Sequence, residues 1–155
     1  MRPTERIKEA QRVLEAEARA IFASSKKISL NFSKCIDLII DCKGTVVISG
    51  IGKSGNIGKK ITSTLASLGT PSIFLHTSDA FHGDLGILRR DDLLICISNS
   101  GETDELVRLL NYAKRNDIKS IAITGNVNST ISKEATISLN SSVESEACPL
   151  NLAPT

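Results

Sequence analysis

Val46-Val47-Ile48-Ser49-Gly50-Ile51-Gly52-Lys53-Ser54-Gly55-Asn56-Ile57-Gly58 is the stretch whose reading decides the fold. An apolar, β-branched run predicts a buried strand. A glycine-rich turn carrying one lysine follows, and then the start of a helix. The same progression returns at Leu93-Leu94-Ile95-Cys96-Ile97-Ser98-Asn99-Ser100-Gly101-Glu102-Thr103. Strands without polar alternation suit a parallel sheet covered on both faces. Each turn falls where a strand ends and a helix begins. There the free N–H groups and the macrodipole favour an anion. One turn offers glycines, a lysine and a serine; the other offers hydroxyls and an amide.

Working outward, short apolar runs alternate with helical stretches from Lys43 onward. Strands are expected at 45–49, 72–76, 93–98, 120–124 and 136–139, with helices at 54–68, 103–116 and 129–134. The alternation predicts βαβ units, hence an α/β fold. It would be a three-layer αβα sandwich around a five-stranded parallel sheet, flavodoxin-like or Rossmann-like. Residues 1–42 precede it as two helices. The first begins at Pro3 or Thr4 and runs to Ser24, with Ile7, Ala10, Val13, Leu14, Ala18, Ile21 and Phe22 at helical spacing. The second spans 29–42. They are expected to form an N-terminal helical hairpin that covers the sheet or faces a partner subunit. The single domain is thus 1–42 plus an α/β core over 43–155. The last residues, Pro149-Leu150-Asn151-Leu152-Ala153-Pro154-Thr155, read as a loop ending where a helix cap belongs. A C-terminal helix is expected beyond them.

Composition narrows the function classes. The chain has 155 residues, 41% of them hydrophobic and 23% charged, enough for one domain with a sizeable core. Its net charge of +2 comes from interspersed acids and bases, and aromatics make up 3%. Neither a basic face nor a base-stacking platform is implied, so nucleic acid is not the expected partner. No apolar run is long enough to span a bilayer, and the charged start does not resemble a signal peptide. Cys35, Cys42, Cys96 and Cys148 form no C-x-x-C pair. Cys35, Cys42 and Cys96 read as core residues, while Cys148, beside Pro149 in a loop, is the one to test for reactivity. A reduced, cytoplasmic compartment is expected.

The turns have competing readings. Gly50-Ile51-Gly52-Lys53-Ser54-Gly55 matches G-x-G-x-x-G, the dinucleotide fingerprint. That motif wants an acid at the end of the next strand, where this chain has His76-Thr77. A P-loop reading fails because Val47 stands where its leading glycine belongs. A turn built only for packing would explain the glycines but not an exposed lysine at the tip. The second turn is more informative. Ser98, Asn99, Ser100 and Thr103 are expected at a carboxyl sheet edge, where hydroxyls and N–H groups can surround a phosphate. The plainer alternative is a capped helix start. His76 reads as structural. A zinc site from His76, His82 and Cys148 lacks ligand spacing, and no nucleophile elbow accompanies His82 and Asp84.

Together, G-x-G-K-S-G and S-N-S-G-E-T resemble the sugar isomerase (SIS) domain family. Within it, residues 48–55, Ala80-Phe81-His82-Gly83-Asp84-Leu85-Gly86 and residues 146–155 are similar to arabinose 5-phosphate isomerases. The resemblance covers nearly all of the chain from Thr45. It implies the five-stranded parallel sheet and a homo-oligomer assembled as a dimer of dimers. The implied reaction interconverts ribulose 5-phosphate and arabinose 5-phosphate for lipopolysaccharide synthesis, with no organic cofactor and no essential metal. Ser98, Asn99, Ser100 and Thr103 would bind phosphate, with Ser54 and the Gly55 backbone close by. Lys53, His82, Glu105 and Glu146 match positions used for catalysis or for shaping the site.

Aldose–ketose isomerisation moves a proton between two carbons through a cis-enediol. It needs a base, and an acid or cation for the developing oxyanion. His82 and the glutamates can shuttle protons, and Lys53 can neutralise an enediolate or a phosphate. Plainer roles exist for each. His82 could be a satisfied structural histidine, Glu105 could serve the helix dipole, and Glu144 competes with Glu146. The family pattern departs in three ways. Relatives often carry a pair of cystathionine-β-synthase-like domains, which are absent here. The pattern also runs past Thr155 to a helix and a further site histidine, and Asp79 stands where a glutamate is common. A truncated, inactive piece is one expectation. A non-catalytic sugar-phosphate sensor, an isomerase of another ketose phosphate, and a dinucleotide-binding protein are the others.

Overall fold

A computed structural model describes residues 2–148. In chain order it contains α1 (Pro3–Ser25), α2 (Leu30–Asp41), β1 (Val46–Gly50), α3 (Gly52–Ser67), β2 (Ser72–Phe74), α4 (Thr77–Phe81), a 3-10 turn (Asp84–Ile87), β3 (Leu93–Ser98), α5 (Asp104–Arg115), β4 (Lys119–Thr124), α6 (Thr130–Glu134) and β5 (Ile137–Asn140). Residues 29–141 form one compact unit, and residues 2–28 with 142–148 form another.

The larger unit is built on a parallel sheet of order β2-β1-β3-β4-β5. The fold class is as expected. Alternate residues of the central strands serve opposite faces. Val46, Ile48, Leu93, Ile95, Ile97 and Ile121 pack with Cys35 of α2, and with Ile61 and Leu65 of α3. Val47, Leu94, Cys96 and Ala122 pack with α4, α5 and α6. Leu106, Leu109, Leu110 and Ala113 of α5 are fully buried at i, i+3, i+4, i+7 spacing, one apolar stripe laid on the sheet. Burial of each such leucine contributes about 1.5–3 kcal/mol.

The smaller unit holds α1, whose first turn is closed by the Arg2 N–H donating to Glu5 at 2.7 Å. Arg12 donates to the Ala147 carbonyl at 3.0 Å, and Lys27 donates to Ser142, which ties the 142–148 segment to this helix. Its apolar residues Ile7, Leu14, Ile21 and Phe22 are exposed.

The region 77–92 is more ordered than the sequence suggests. His76 caps α4, and the 3-10 turn follows within three residues of its end. A five-residue helix is too short to show a hydrophobic period. The α3 helix begins at Gly52, two residues before the expected start, and β2 stops at Phe74 rather than His76. As an edge strand, β2 has only β1 to set its length. The expected helix beyond Thr155 and the loop over 149–155 lie outside the described residues.

Candidate functional site

The sheet order makes the neighbouring carboxyl ends of β1 and β3 special. Gly50 pairs with Ile97 across them. From β1 the chain turns to the face covered by α3; from β3 it turns to the face covered by α5. Departure to opposite faces opens a crevice at a topological switch point, where open α/β sheets bind ligands. The lysine turn and the hydroxyl turn flank it.

On the β1 side, the first free N–H groups of α3 belong to Gly52, Lys53 and Ser54, and Ile51 supplies no side-chain cap. Gly52 takes φ +58°, a left-handed turn that suits glycine. Gly55 serves the packing as well. A Cβ there would lie 2.7 Å from the Gly50 carbonyl, and one on Gly58 would lie 2.9 Å from Phe74. Close packing therefore accounts for these two glycines. The Gly55 N–H donates within the helix to Ile51 at 3.3 Å. Lys53 is exposed and Ser54 half-buried.

On the β3 side, Ser98 is 5% exposed and acts as a hub. Its Oγ accepts from the Gly101 N–H at 3.1 Å, and it shares hydrogen bonds with the hydroxyls of Thr103 at 3.0 Å and Ser100 at 3.5 Å. Ser100 Oγ accepts from the Glu102 N–H at 3.3 Å. Thr103 is the N-cap residue of α5 but makes no capping bond, because its hydroxyl turns to Ser98. Asn99 and Ser100 are exposed, and the first-turn N–H groups of α5 follow directly. The turn thus presents hydroxyls, an amide and a helix N-terminus at one place.

The expected proton-transfer residues fall differently. Glu105 is exposed in the first turn of α5. His82 is exposed at the end of α4, followed by Gly83 at φ +140°. The Arg108 guanidinium lies 4.3 Å from the Phe81 ring centroid, which docks the His82 segment onto α5 one turn beyond Glu105. Glu146 lies in the smaller unit. Among the described residues no group of three or more His, Cys, Asp or Glu side chains could hold a metal ion.

Sequence reasoning missed part of the surroundings. A pocket of about 400 Å³ beside the lysine turn is lined by Lys53, Asn56, Lys59, Phe74 and His76. His76, read from sequence as structural, accepts from the Ser78 N–H through Nδ1 at 3.3 Å, which leaves Nε2 to carry the proton of a neutral ring. The ammonium of Lys59 sits 5.3 Å from the Phe74 ring centroid. The signal was available: Lys53, Asn56 and Lys59 recur every three residues along α3, on one face. The supports of the hydroxyl turn were also missed. The Asn99 carbonyl accepts from Gly125 N at 3.0 Å and from the Thr124 hydroxyl at 3.3 Å, and the Gly101 carbonyl accepts from Ile131 N at 3.1 Å.

By strand order this is a doubly wound α/β domain of the flavodoxin-like type. A family model described as "SIS domain" matches residues 38–155. The chain belongs to the SIS domain family. The arabinose 5-phosphate isomerase KdsD of Pseudomonas aeruginosa is 48% identical over 149 residues, covering 96% of this chain and 46% of that protein. The arabinose 5-phosphate isomerase KpsF of Escherichia coli O6:H1 strain CFT073 is 47% identical over 150 residues, again 96% of this chain and 46% of that protein. The chain therefore spans just under half the length of these relatives. A solved structure of an E. coli CFT073 protein in complex with arabinose 5-phosphate matches with a TM-score of 0.94 and 37% identity, over 100% of this chain and 82% of that one.

Proposed function

We propose that this chain is the isomerase domain of an arabinose 5-phosphate isomerase, interconverting ribulose 5-phosphate and arabinose 5-phosphate. The observation that carries the reading is the adjacency of the carboxyl ends of β1 and β3. From these paired strand ends a lysine-bearing helix start and a hydroxyl-rich turn depart. In this reading Ser98, Asn99, Ser100, Thr103 and the N–H groups after them hold the phosphate, with Ser54 and the turn around Gly55 closing the other side. Lys53 stabilises the enediolate oxygen as negative charge develops. His82 and Glu105 are the groups that take a proton from one carbon and return it to its neighbour, a step worth roughly 10²–10⁴ in rate; Glu146 enters the proposal only through its match to the family pattern. Only protons move, so the reaction calls for no cofactor.

The proposal extends to assembly and place. Ile7, Leu14 and Ile21 recur every seven residues on α1 and are exposed, as are Leu30 and Ile40 on α2. Such stripes suit pairing with further copies of the chain, which supports a homo-oligomer, a dimer of dimers in this reading. No helix among the described residues is long and apolar enough to cross a membrane. The substrate is a cytoplasmic type of metabolite, and its aldose product would feed lipopolysaccharide synthesis.

The test is an interconversion assay with both pentose phosphates, run beside calorimetric binding. Turnover supports the enzyme. Binding without turnover points to a sugar-phosphate sensor, and absence of both overturns the reading. Ser100→Ala should weaken sugar-phosphate binding by about 1–3 kcal/mol; unchanged affinity removes that serine from the cradle.

A further inference from the structure

A carboxylate sits inside the turn proposed to hold a dianionic phosphate. Glu102 lies between Gly101 and Thr103, two residues from Ser100. Like charges in one small site repel, so an acid there should cost affinity unless it has another task. Its partners identify the task. One Glu102 carboxylate oxygen accepts from the Thr130 N–H at 2.9 Å, and the other accepts from the Thr130 hydroxyl at 2.6 Å. Thr130 opens α6, the helix that follows β4 in the chain. Gly125, Thr124 and Ile131 reach the turn through main-chain carbonyls, those of Asn99 and Gly101. These bonds fix its first half. The Glu102 pair fixes the second half, where Ser100 Oγ accepts from the Glu102 N–H and the Thr103 hydroxyl meets Ser98.

We infer that Glu102 is a positioning residue: its two-pronged bond to Thr130 sets the geometry of the phosphate-binding turn, at the expense of placing a negative charge beside the ligand. The inference rests on the proposed sugar-phosphate site. It makes a prediction of opposite sign to simple electrostatics. If Glu102 acted only as a charge, its removal would tighten phosphate-ester binding. As a clamp, its removal should loosen the turn and weaken binding. Thr130 should behave as the same unit, although it lies 28 residues away.

The experiment is a double-mutant cycle on the full chain with Glu102→Ala, Thr130→Val and the pair. Arabinose 5-phosphate binding is measured by calorimetry, and amide hydrogen exchange is followed at residues 99–103. Glu102→Ala, which removes both bonds, should lose roughly tenfold in affinity; Thr130→Val, which keeps the main-chain N–H bond, should lose less, and the double variant no more than Glu102→Ala. Exchange across the turn should accelerate in both, more in Glu102→Ala. Glu102→Gln and Thr130→Ser, which keep part of the hydrogen bonding, should restore part of each loss. In turnover the change should fall on KM rather than kcat. Tighter binding by Glu102→Ala, or additive losses in the double variant, would overturn the inference. If the unaltered chain binds no sugar phosphate, the functional reading fails, and exchange alone judges the clamp. Unchanged exchange in both single variants would then refute it.

Discussion

Gly101→Ala tests the packing beneath the hydroxyl turn. Gly101 has φ +69°, a left-handed conformation that costs an alanine ~1–2 kcal/mol. A Cβ built there would stand 2.0 Å from Ser129 Oγ, 2.4 Å from Ser129 Cβ and 2.8 Å from Thr124 Oγ1. Ser129 and Thr124 are both fully buried, so neither can swing into solvent. Forcing a methyl into a filled site adds ~1–3 kcal/mol. The substitution should therefore destabilise the domain by about 2–5 kcal/mol. At this chain length that lowers the melting temperature by roughly 4–20 °C. The structure also supplies a rescue. Ser129 Oγ makes no hydrogen bond among the described residues, so Ser129→Gly removes the clashing atoms without breaking one. Glycine in place of serine at a helix N-cap costs only a few tenths of a kcal/mol. In Gly101→Ala the added Ser129→Gly should recover ~1–3 kcal/mol, leaving the backbone strain behind. Urea denaturation of the four proteins measures both terms. A loss below about 1 kcal/mol for Gly101→Ala, or no recovery in the pair, would refute the packing argument.

Gly125→Ala should separate binding from stability. Its Cβ would meet the Asn99 side-chain oxygen at 2.2 Å and the Asn99 carbonyl oxygen at 3.0 Å; the exposed side chain can yield, and the main chain must give by a few tenths of an ångström. Sugar-phosphate affinity should fall several-fold while the urea midpoint drops less than in Gly101→Ala; a loss as large as that variant's would contradict this. The Glu102 carboxyl is held below its usual range, first by the Thr130 hydroxyl, then by the Thr130 N–H, with Lys133 adding to the effect. Because the folded value is depressed, its contribution is present above the unfolded value. It disappears only as pH falls through the folded one. Protection of the Thr130 amide should therefore persist through neutrality and fail below about pH 4; a transition near neutrality would contradict it. Burial pushes the Cys96 thiol up, and that of Cys35 in the same direction. A maleimide should thus label half-buried Cys42 in the native protein and reach Cys96 only on unfolding, as read by mass spectrometry.

The legible parts of this fold are those where burial demands a continuous sequence signal. All residues of β1 and β3 are buried, so their runs could contain little but apolar residues. The α5 helix was expected over 103–116, and its four positions that face the sheet lie at i, i+3, i+4 and i+7. The hydroxyl turn was legible because its residues are contiguous. Its supports were not, because Thr124, Gly125 and Thr130 reach it only through the β3–β4 pairing, with Ser98 set opposite Thr124. The pocket beside Lys53 was hidden for a related reason. Most of its lining comes from α3, and the rest from Gly50 of β1 and from Phe74 and His76, at the end of a three-residue edge strand. His76 looked structural in isolation, and it does cap a helix. Its second role needed a neighbour that sequence order does not place beside it.

The strand order also shapes how the chain emerges during synthesis. The central pair, β1 and β3, joins Val46 to Leu93, segments made roughly 2–9 s apart at 5–20 residues per second. Until then β1 can find only the three-residue β2 as a partner, and one long edge of Val46, Val47 and Ile48 stays open. A nascent chain halted between Phe74 and Leu93 should be the form most prone to sticking to others, and the one for which a chaperone matters most. The arrangement that places the two turns side by side in the finished domain therefore makes the ribosome-bound half its most exposed state.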